Sequence, residues 1–405
     1  MTGLTPTRAA GLEAMHAFVP AMGRRYANGR NYDRGPGQHK AVSQLSPYLR
    51  RRLVTEAELA AAALEAHGPE NAEKFIQEIV WRGYFKGWLE RRPSVWHAYT
   101  RGLAEDLAAL DKDRRLRREV ERAEAGQIGL DCFDAWAREL VETGYLHNHA
   151  RMWFASIWIF TLELPWRLGA DFFYRHLLDG DAASNTLGWR WVAGLHTRGK
   201  PYAARADNIA TFTGGRFTPR RGDLAEVTDG LEAQEPEGLP PVQPVRSPRA
   251  PEPGRPSLLL ITDEDCSLEA HELGRFDIIG AATLAGSHLR SPLPVAKAVA
   301  GFEAGALEDA AARAGYAPTR LEARHPDALA RWAAGTGAAQ IVTPFITRGP
   351  LHDWLTEVAP YLEAEGIALC ELRRDWDEAI WPHATAGFFK VKKQIPRILG
   401  DVVPA

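Results

Sequence analysis

Apolar residues recur at helical spacing through the first half of the chain. Ile76, Val80 and Tyr84 stand four residues apart, which is typical of one face of an amphipathic helix. The same spacing predicts helices over residues 57–66 and 72–90. No segment before residue 220 shows the alternation or the short apolar run that a strand requires. The pattern therefore predicts an all-α region over residues 1–221.

The pattern changes after a proline-rich stretch. Eight of the 27 prolines fall between Pro236 and Pro256, and few residues around them could be buried, so we predict a linker over residues 222–256. Beyond it, short apolar runs alternate with helical patterns, which predicts a doubly wound, mostly parallel α/β domain over residues 257–405. The predicted strands are 257–262, 276–281, 319–323, 340–345 and 367–372, and the predicted helices are 295–314, 327–335 and 352–365.

The charge of the chain divides at the same place. Residues 1–220 carry a net charge of +6 and the rest carry −9, within a total of −3, and a basic first half suits contact with a polyanion. Cys132, Cys266 and Cys370 form no CxxC pair, so we expect no disulfide framework and no metal site. The cysteine pattern, with no signal peptide and no membrane span in view, predicts a reducing, cytoplasmic location.

The most unusual stretch runs from Asp179 to Trp191 and combines carboxylates, an amide and indoles. Asp181, Asn185 and Trp189 stand four residues apart, so a helix capped by Asp179 or Asp181 would carry them on one stripe. Such a stripe suits the wall of a pocket that holds a flat ring with polar edges. A plain turn and cap followed by core tryptophans is the structural alternative.

Two earlier segments carry similar residue types. Glu78, Trp81 and Arg82 share a helix face, either as a surface ion pair beside a core indole or as a site where a flat ligand stacks. Ser43 and Ser46 precede a proline and suit a helix N-terminus, where they would cap the helix or hold a phosphate.

Other polar residues are predicted to have simpler roles. The triplet Arg50 to Arg52 and the charged stretch 101–125 are predicted to face solvent. His147 and His149 are two residues apart, which is poor spacing for a shared metal on a helix, so we interpret them as hydrogen-bonding residues.

Five segments, in order, give the chain a resemblance to a known family. Residues from about 26 to 217 resemble the flavin-binding helical domain of the DNA photolyase/cryptochrome family. The later α/β region loosely resembles the antenna domain of that family, which would place an antenna-like domain C-terminally. The segments are Ser43-Gln-Leu-Ser46, Glu78-Ile-Val-Trp81-Arg82, Thr143-Gly-Tyr-Leu-His-Asn148 with Arg151-Met152, Trp166-Arg-Leu-Gly169, and Asp179 through Trp191.

The resemblance implies that the helical region holds a folded FAD. Arg151 would lie against the ring system and pair with Asp179, and Asp181 would reach a polar edge. Asn185 would face the flavin N5, where a neutral amide tolerates a reduced anion that an acid would repel. Whether a second, antenna chromophore binds stays open. The remaining residues implied for FAD are Ser43, Leu45, Ser46 and Phe75, the last standing where a tryptophan often contacts the flavin.

The resemblance also implies repair of cyclobutane pyrimidine dimers in DNA. A dimer flipped out of the duplex would stack on Trp81 and Trp191, and Glu78 and Asn148 would contact the pyrimidine edges. Met152 also keeps the residue type of this branch, whereas the (6-4)-repairing branch carries histidines where this chain has Asn148 and Met152. The further residues expected to contact DNA are Arg82 and Arg205.

Besides Phe75, two positions that bear on function depart from the family pattern. Trp189 and Trp166 match the inner and middle tryptophans of the photoreduction chain, but Ala123 falls at the outer position. His149 replaces an arginine that commonly contacts DNA phosphate.

Three functions follow as alternatives. The first is light-driven repair of dimers by an electron from excited, reduced FAD, and the substrate residues favour it. The second is a cryptochrome-like blue-light receptor that keeps FAD and signals to a partner through its acidic second half. Ala123, His149 and the absent N-terminal antenna domain favour that reading. The third is a flavin-free remnant with a structural or DNA-binding role.

Overall fold

The computed structural model describes residues 3–226 and 228–403. Within these ranges, every regular element before residue 256 is helical. The all-α prediction for this part of the chain agrees with the structure. The helices are α1 (Arg8–Phe18), α2 (Arg24–Gly29), α3 (Ser46–Arg50), α4 (Glu56–Glu90), α5 (Pro93–Lys112), α6 (Arg114–Glu124), α7 (Asp131–Thr143), α8 (Asn148–Ser156), α9 (Trp166–His176), α10 (Ala182–Val192) and α11 (Ala206–Phe212).

The long helix α4 consists of two helices that meet at a kink. Its start is a capping box, in which the Thr55 side chain accepts from the Glu58 N–H and Glu58 accepts from the Thr55 backbone. Gly68 has a φ of 69°, and Pro69 has no N–H to continue the ladder, so the axis changes direction there. The helices predicted over 57–66 and 72–90 lie on the two sides of this kink.

The second half contains a five-stranded parallel sheet in the order β3-β2-β1-β4-β5. Residues 257–262 of the central strand are all buried, because helices cover both faces of the sheet. The predicted sheet is therefore present, and β2 runs on to Ala285 instead of ending at 281. The elements are β1 (Pro256–Thr262), β2 (Asp277–Ala285), α12 (Lys297–Arg313), β3 (Thr319–Glu322), α13 (Ala328–Ala333), β4 (Gln340–Pro344), α14 (Pro350–Ala364) and β5 (Ala368–Leu372).

The chain after β5, here called the C-terminal segment (residues 375–403), returns to the helical region. Its helices are α15 (Asp375–Ile380), α16 (Phe389–Lys392) and α17 (Ile395–Val402), and α15 and α17 pack on α4. A Cβ at Gly83 of α4 would stand 2.8 Å from Ile380 Cδ1, and one at Gly87 would stand 2.5 Å from Trp381 Cδ1. The two glycines therefore form a groove that receives Ile380 and Trp381.

Arg50, Arg51 and Arg52 are buried between the two halves, so the prediction that they face solvent is wrong. Arg50 Nη1 donates to Asp263 O at 3.0 Å, and Arg52 Nη1 donates to Asp265 Oδ2 at 3.2 Å. The acidic partners follow β1, 213 residues further along the chain in both pairs. Buried arginines need such carboxylates, and no local pattern reveals partners at that distance.

The linker lies along both halves. Arg190 of α10 pairs with Glu235, and Arg246 pairs with Glu371 of β5. Over the part of the chain that the structure describes, no helix combines the length and the apolar composition that crossing a bilayer requires.

Candidate functional site

A cavity of about 480 Å³ lies between the helices that carry the sequence segments singled out above. This volume is ordinary for a ligand pocket. Four of the five segments converge on it, and the Trp166 segment does not. The predicted site residues that line the cavity are Ser43, Leu45, Ser46, Glu78, Trp81, Arg82, Asn148, Arg151, Met152, Asp179, Asp181, Asn185, Trp189 and Trp191.

Helix α10 presents the stripe of acid, amide and indole to the cavity. Asp181 is its N-cap, since Oδ1 accepts from the Ser184 N–H at 2.8 Å. Asn185 Nδ2 donates to Ala170 O at 2.8 Å, which orients the amide. Trp189 lies two turns along the same face, because residues four apart on a helix stack above one another. Of the two predicted caps, Asp181 is the one used.

Asp179 and Arg151 form an ion pair in the cavity wall. Arg151 Nη2 lies 3.0 Å from both carboxylate oxygens of Asp179, and Arg151 Nε donates to Leu146 O at 2.8 Å. Burial alone would raise the pKa of Asp179, but the charges of Arg151 and Arg82 outweigh it and hold the pKa below its ordinary value. The carboxylate therefore stays charged and keeps the guanidinium in place.

Lys86, which the sequence analysis missed, supplies the counter-charge of Asp181. Its Nζ lies 3.1 Å from Asp181 Oδ2 and 3.4 Å from Glu264 Oε2. Burial opposes ionisation of Asp181, yet Lys86 and the nearby arginines hold its pKa well below the usual range. The sequence feature that could have identified Lys86 is its spacing, since Glu78, Arg82 and Lys86 stand four residues apart on α4.

Two lining indoles are each covered by an aromatic ring from another segment. Trp81 stacks on Phe388 with ring centroids 3.8 Å apart and planes at 12°. Trp191 stacks on Tyr202 at 5.4 Å and 28°. Neither Phe388 nor Tyr202 lines the cavity, so each ring supports its indole from outside. The cavity therefore has two flat, supported walls.

The polar residues expected to meet a substrate lie near these indoles and are partly exposed. The Glu78 carboxylate pairs with Arg30. Asn148 is the first residue of α8, and its Nδ2 lies 3.8 Å from Met152 Sδ. The side chains are thus in the cavity, with Glu78 already holding a protein partner.

The lining residues that were not predicted as site residues include Tyr26, Tyr145 and His147. His147 caps α8, since its Nδ1 accepts from the His149 N–H at 3.2 Å and its Nε2 lies 3.1 Å from Arg30 O. This arrangement needs a neutral imidazole, and burial lowers the pKa of His147 to about 4. Tyr26 lies in a stretch rich in glycine, asparagine and arginine, where no periodic pattern marked it.

Phe75 and Trp166 do not line the cavity. Phe75, expected to contact the flavin, packs on Tyr26, which does line the cavity, with ring centroids 5.1 Å apart. Trp166 is buried, and its ring centroid lies 5.8 Å from that of Tyr99.

Arg205 and His149 also stand apart from the cavity lining. Arg205, expected to contact DNA, is exposed and pairs with Asp207 at 2.6 Å. His149 stacks on Trp153 and Phe212, with centroids 5.3 and 5.4 Å away. Arg205 is therefore paired with an acid, and the His149 ring is held among aromatic rings.

Two buried N–H groups in the cavity wall have no hydrogen-bond partner among the described residues, namely Arg82 Nη1 and Trp189 Nε1. Buried donors in proteins are nearly always satisfied, so a ligand with acceptor atoms fits this wall. Arg82, Arg151 and the serine hydroxyls suit phosphate and carbonyl oxygens, and the indoles suit a flat ring. FAD offers both kinds of group.

A buried cluster beside the cavity is held together by hydrogen bonds and an ion pair between side chains. Asp33, His39 and Glu139 bring ligand-type atoms within 4.8 Å of one another. The two imidazole nitrogens face different carboxylates, with Nε2 3.0 Å from Glu139 Oε1 and Nδ1 3.8 Å from Asp33 Oδ1. Arg216 and Trp136 also donate to the Asp33 carboxylate, so protein contacts hold this cluster together.

Comparison with known proteins assigns the helical region. Residues 75–217 match the family model of the FAD binding domain of DNA photolyase. The chain is 37% identical to the deoxyribodipyrimidine photo-lyase of Streptomyces griseus over 204 residues, and 37% identical to that of Thermus thermophilus over 199 residues. A class III photolyase from Agrobacterium tumefaciens matches structurally with a TM-score of 0.43 and 27% identity, over 52% of this chain and 44% of that chain.

The two curated matches cover 48% and 49% of this chain but 42% and 45% of the relatives, so the chain spans less than half of their length. The cavity and its lining make the helical region a flavin-binding domain. More specifically, residues 75–217 resemble the FAD binding domain of DNA photolyase, and FAD is the cofactor of this domain. The likeness of the later α/β region to an antenna domain stays a prediction.

Proposed function

We propose that this protein is a light-driven DNA repair enzyme that splits cyclobutane pyrimidine dimers. Reduced FAD, when bound and excited, supplies one electron to the dimer and accepts it back after both carbon–carbon bonds have broken. The name of the relatives over the helical region, deoxyribodipyrimidine photo-lyase, supports this choice.

The observation that carries the proposal is that five substrate-type residues share one cavity: Glu78, Trp81, Asn148, Met152 and Trp191. A dimer that leaves the duplex loses a few kcal/mol of stacking and pairing, less than an intact base pair does. Stacking on an aromatic side chain returns about 1–3 kcal/mol per base, so two indoles offset this loss.

The charges on the flavin side support the same chemistry. The Arg151–Asp179 and Lys86–Asp181 pairs bring opposite charges together, so the wall carries few uncompensated charges. In the proposal, Asn185 would present a neutral amide to the bound flavin, which suits a ring whose reduced form is negatively charged. A carboxylate there would repel that charge.

For photoreduction, Trp189 is the proposed inner electron donor and Trp166 the next. Ala123 is buried and has no ring to continue the chain. Trp166 has Tyr99 at 5.8 Å, and Tyr99 has Trp96 at 5.4 Å. We therefore assign the next steps of the chain to Tyr99 and Trp96, both of which are buried.

A cryptochrome-like photoreceptor that binds FAD without repairing DNA is the second candidate. Two observations favour it. The Glu78 carboxylate is engaged by Arg30, and His149 lies among aromatic rings where an arginine would offer charge to phosphate. Such a receptor would signal to a protein partner through its acidic second half.

One experiment separates the candidates. The purified protein is examined for flavin absorbance and then illuminated with an oligonucleotide that contains a dimer under reducing conditions. Light-dependent loss of dimers supports repair. Bound flavin without loss of dimers rejects repair and favours the receptor, and a colourless protein contradicts both.

Two variants test the roles within the cavity. Asn148→Ala and Glu78→Ala should lower repair while FAD stays bound, because neither side chain is assigned to the flavin. Glu65→Ala, an exposed change on the same helix as Glu78, should leave both unchanged. Loss of flavin from either cavity variant would contradict the assignment.

A further inference from the structure

Phe388 of the C-terminal segment stacks on Trp81, an indole of the cavity wall. Phe388 is 6% exposed and lies parallel to the indole at 3.8 Å between ring centroids. Trp81 lines the cavity and Phe388 does not, so Phe388 contacts the indole without being part of the lining.

Hydrogen bonds fix the C-terminal segment against α4 and α5. Tyr84 Oη donates to Ala386 O at 2.9 Å, and Arg92 Nη2 donates to Thr385 O at 2.8 Å. Arg91 Nε donates to Trp381 O at 2.9 Å. Together with the groove at Gly83 and Gly87, these bonds fix the position of Phe388 relative to the Trp81 indole.

We propose that Phe388 is a positioning residue for the substrate, and that the C-terminal segment is therefore part of the dimer-binding site. The inference rests on the proposed function. Parallel aromatic rings hold each other in one orientation, so Phe388 keeps the Trp81 indole in the plane on which a dimer stacks. Without this ring one face of the indole is open, and binding must order the side chain first, which weakens affinity.

The test uses the full-length protein loaded with FAD and a fluorescent oligonucleotide that contains one dimer. Phe388→Leu keeps most of the buried apolar area but removes the ring. We expect the Kd for the oligonucleotide to rise about tenfold, in line with the loss of one aromatic pair. FAD content, the flavin spectrum and dimers repaired per absorbed photon at saturating DNA should not change. Phe388→Tyr should restore the Kd because it keeps the ring.

Phe345→Leu is the matched control. Phe345 is also a buried ring, packed on Trp381 at 5.4 Å between centroids, so its loss perturbs the C-terminal segment without removing the support of Trp81. This variant should bind the oligonucleotide like the parent. A Phe388→Leu protein that binds like the parent or like Phe345→Leu, or that loses FAD, overturns the positioning role.

A second variant keeps the test decisive if Phe388→Leu does not fold. Tyr84→Phe removes the hydroxyl that donates to Ala386 O and also lies 3.2 Å from His196 Nε2, and we expect about threefold weaker dimer binding at unchanged FAD content. Unchanged binding overturns the proposal. Failure of the proposed function is distinguishable, because the parent protein would then hold FAD and show no preference for the dimer over an undamaged oligonucleotide.

Discussion

Lys86 Nζ lies 3.1 Å from Asp181 Oδ2 and 3.4 Å from Glu264 Oε2, so a single buried ammonium joins the flavin cavity to the turn after β1. Arg50 makes the same connection, since its Nε donates to Gly180 O at 2.9 Å and its Nη2 donates to Glu264 at 2.5 Å. Lys86 and Arg50 therefore connect the loop that ends at Asp181 to Glu264 of the α/β region.

Replacing Lys86 with methionine should destabilise the protein and reduce the FAD that copurifies with it. The change leaves the Asp181 and Glu264 carboxylates buried without this counter-charge, and breaking a buried pair costs about 3–5 kcal/mol. Thermal unfolding and the ratio of flavin to protein absorbance measure the two effects. Lys74→Met, on a partly exposed lysine of the same helix, is the control. Parent-like values in the Lys86 variant would show that Arg50 and Arg82 suffice for Asp181.

Glu264→Gln should weaken FAD binding although Glu264 does not line the cavity. The change removes the charge that Lys86 and Arg50 share, at a cost of about 1–3 kcal/mol for one charged hydrogen-bonded contact. Titration of the apoprotein with FAD gives the affinity. Glu272→Gln, which alters an exposed pair with Arg275, should behave like the parent. Equal FAD affinity in both variants would mean that the α/β side does not support the cavity.

Stability should fall as the pH drops from about 6.5 to about 4, in part because of His147. Burial lowers its folded pKa to about 4, whereas a histidine in the unfolded chain titrates near pH 6.5. Between these values the unfolded chain binds the proton and the folded chain does not, so protonation favours unfolding until the pH passes below the folded pKa. The expected contribution is on the order of 2 kcal/mol.

Denaturant unfolding at a series of pH values measures this contribution. His147→Asn keeps a side chain that caps α8 and removes the titration, so its free energy of unfolding should depend less on pH. Burial lowers the pKa of His176 and His196 to about 4 as well, and they keep their part in the variant. The same pH dependence in parent and variant would contradict the prediction.

Photoreduction of bound FAD should depend on Trp189 and Trp166. Trp189→Phe should keep FAD and nearly abolish light-driven reduction, while repair after chemical reduction continues. Trp158 is the matched comparison, because its ring also meets Trp189, at 6.3 Å between centroids. Reduction followed by flavin absorbance should slow in Trp166→Phe and less in Trp158→Phe. The reverse order would move the route to Trp158.

The features that the sequence predicts well are those that local spacing determines. β1 and β4 are short apolar runs because both of their faces are covered, and their predicted bounds lie within one residue of the observed ones. The Asp181, Asn185 and Trp189 stripe follows from helical geometry alone. Their convergence with Glu78 and Asn148 on one cavity came from the family resemblance and not from spacing.

The features that escape prediction depend on residues far apart in the chain. Three consecutive arginines look like a solvent-exposed face until the acids after β1 are brought against them. Lys86 is one of several charged residues on α4 until Asp181 and Glu264 surround it. Phe388 lies in a short segment without periodicity, and only the folded chain shows that it reaches Trp81.

The glycine groove of α4 is filled by residues that are synthesised much later than α4 itself. Arg91, beside that groove, and Trp381, which occupies it, are 290 residues apart in the sequence. At about 5–20 residues per second of synthesis, α4 emerges roughly 15–60 s before the side chain that fills it. The nascent helical region therefore carries an open apolar groove during this interval, and this packing step waits until the C-terminal segment has been synthesised.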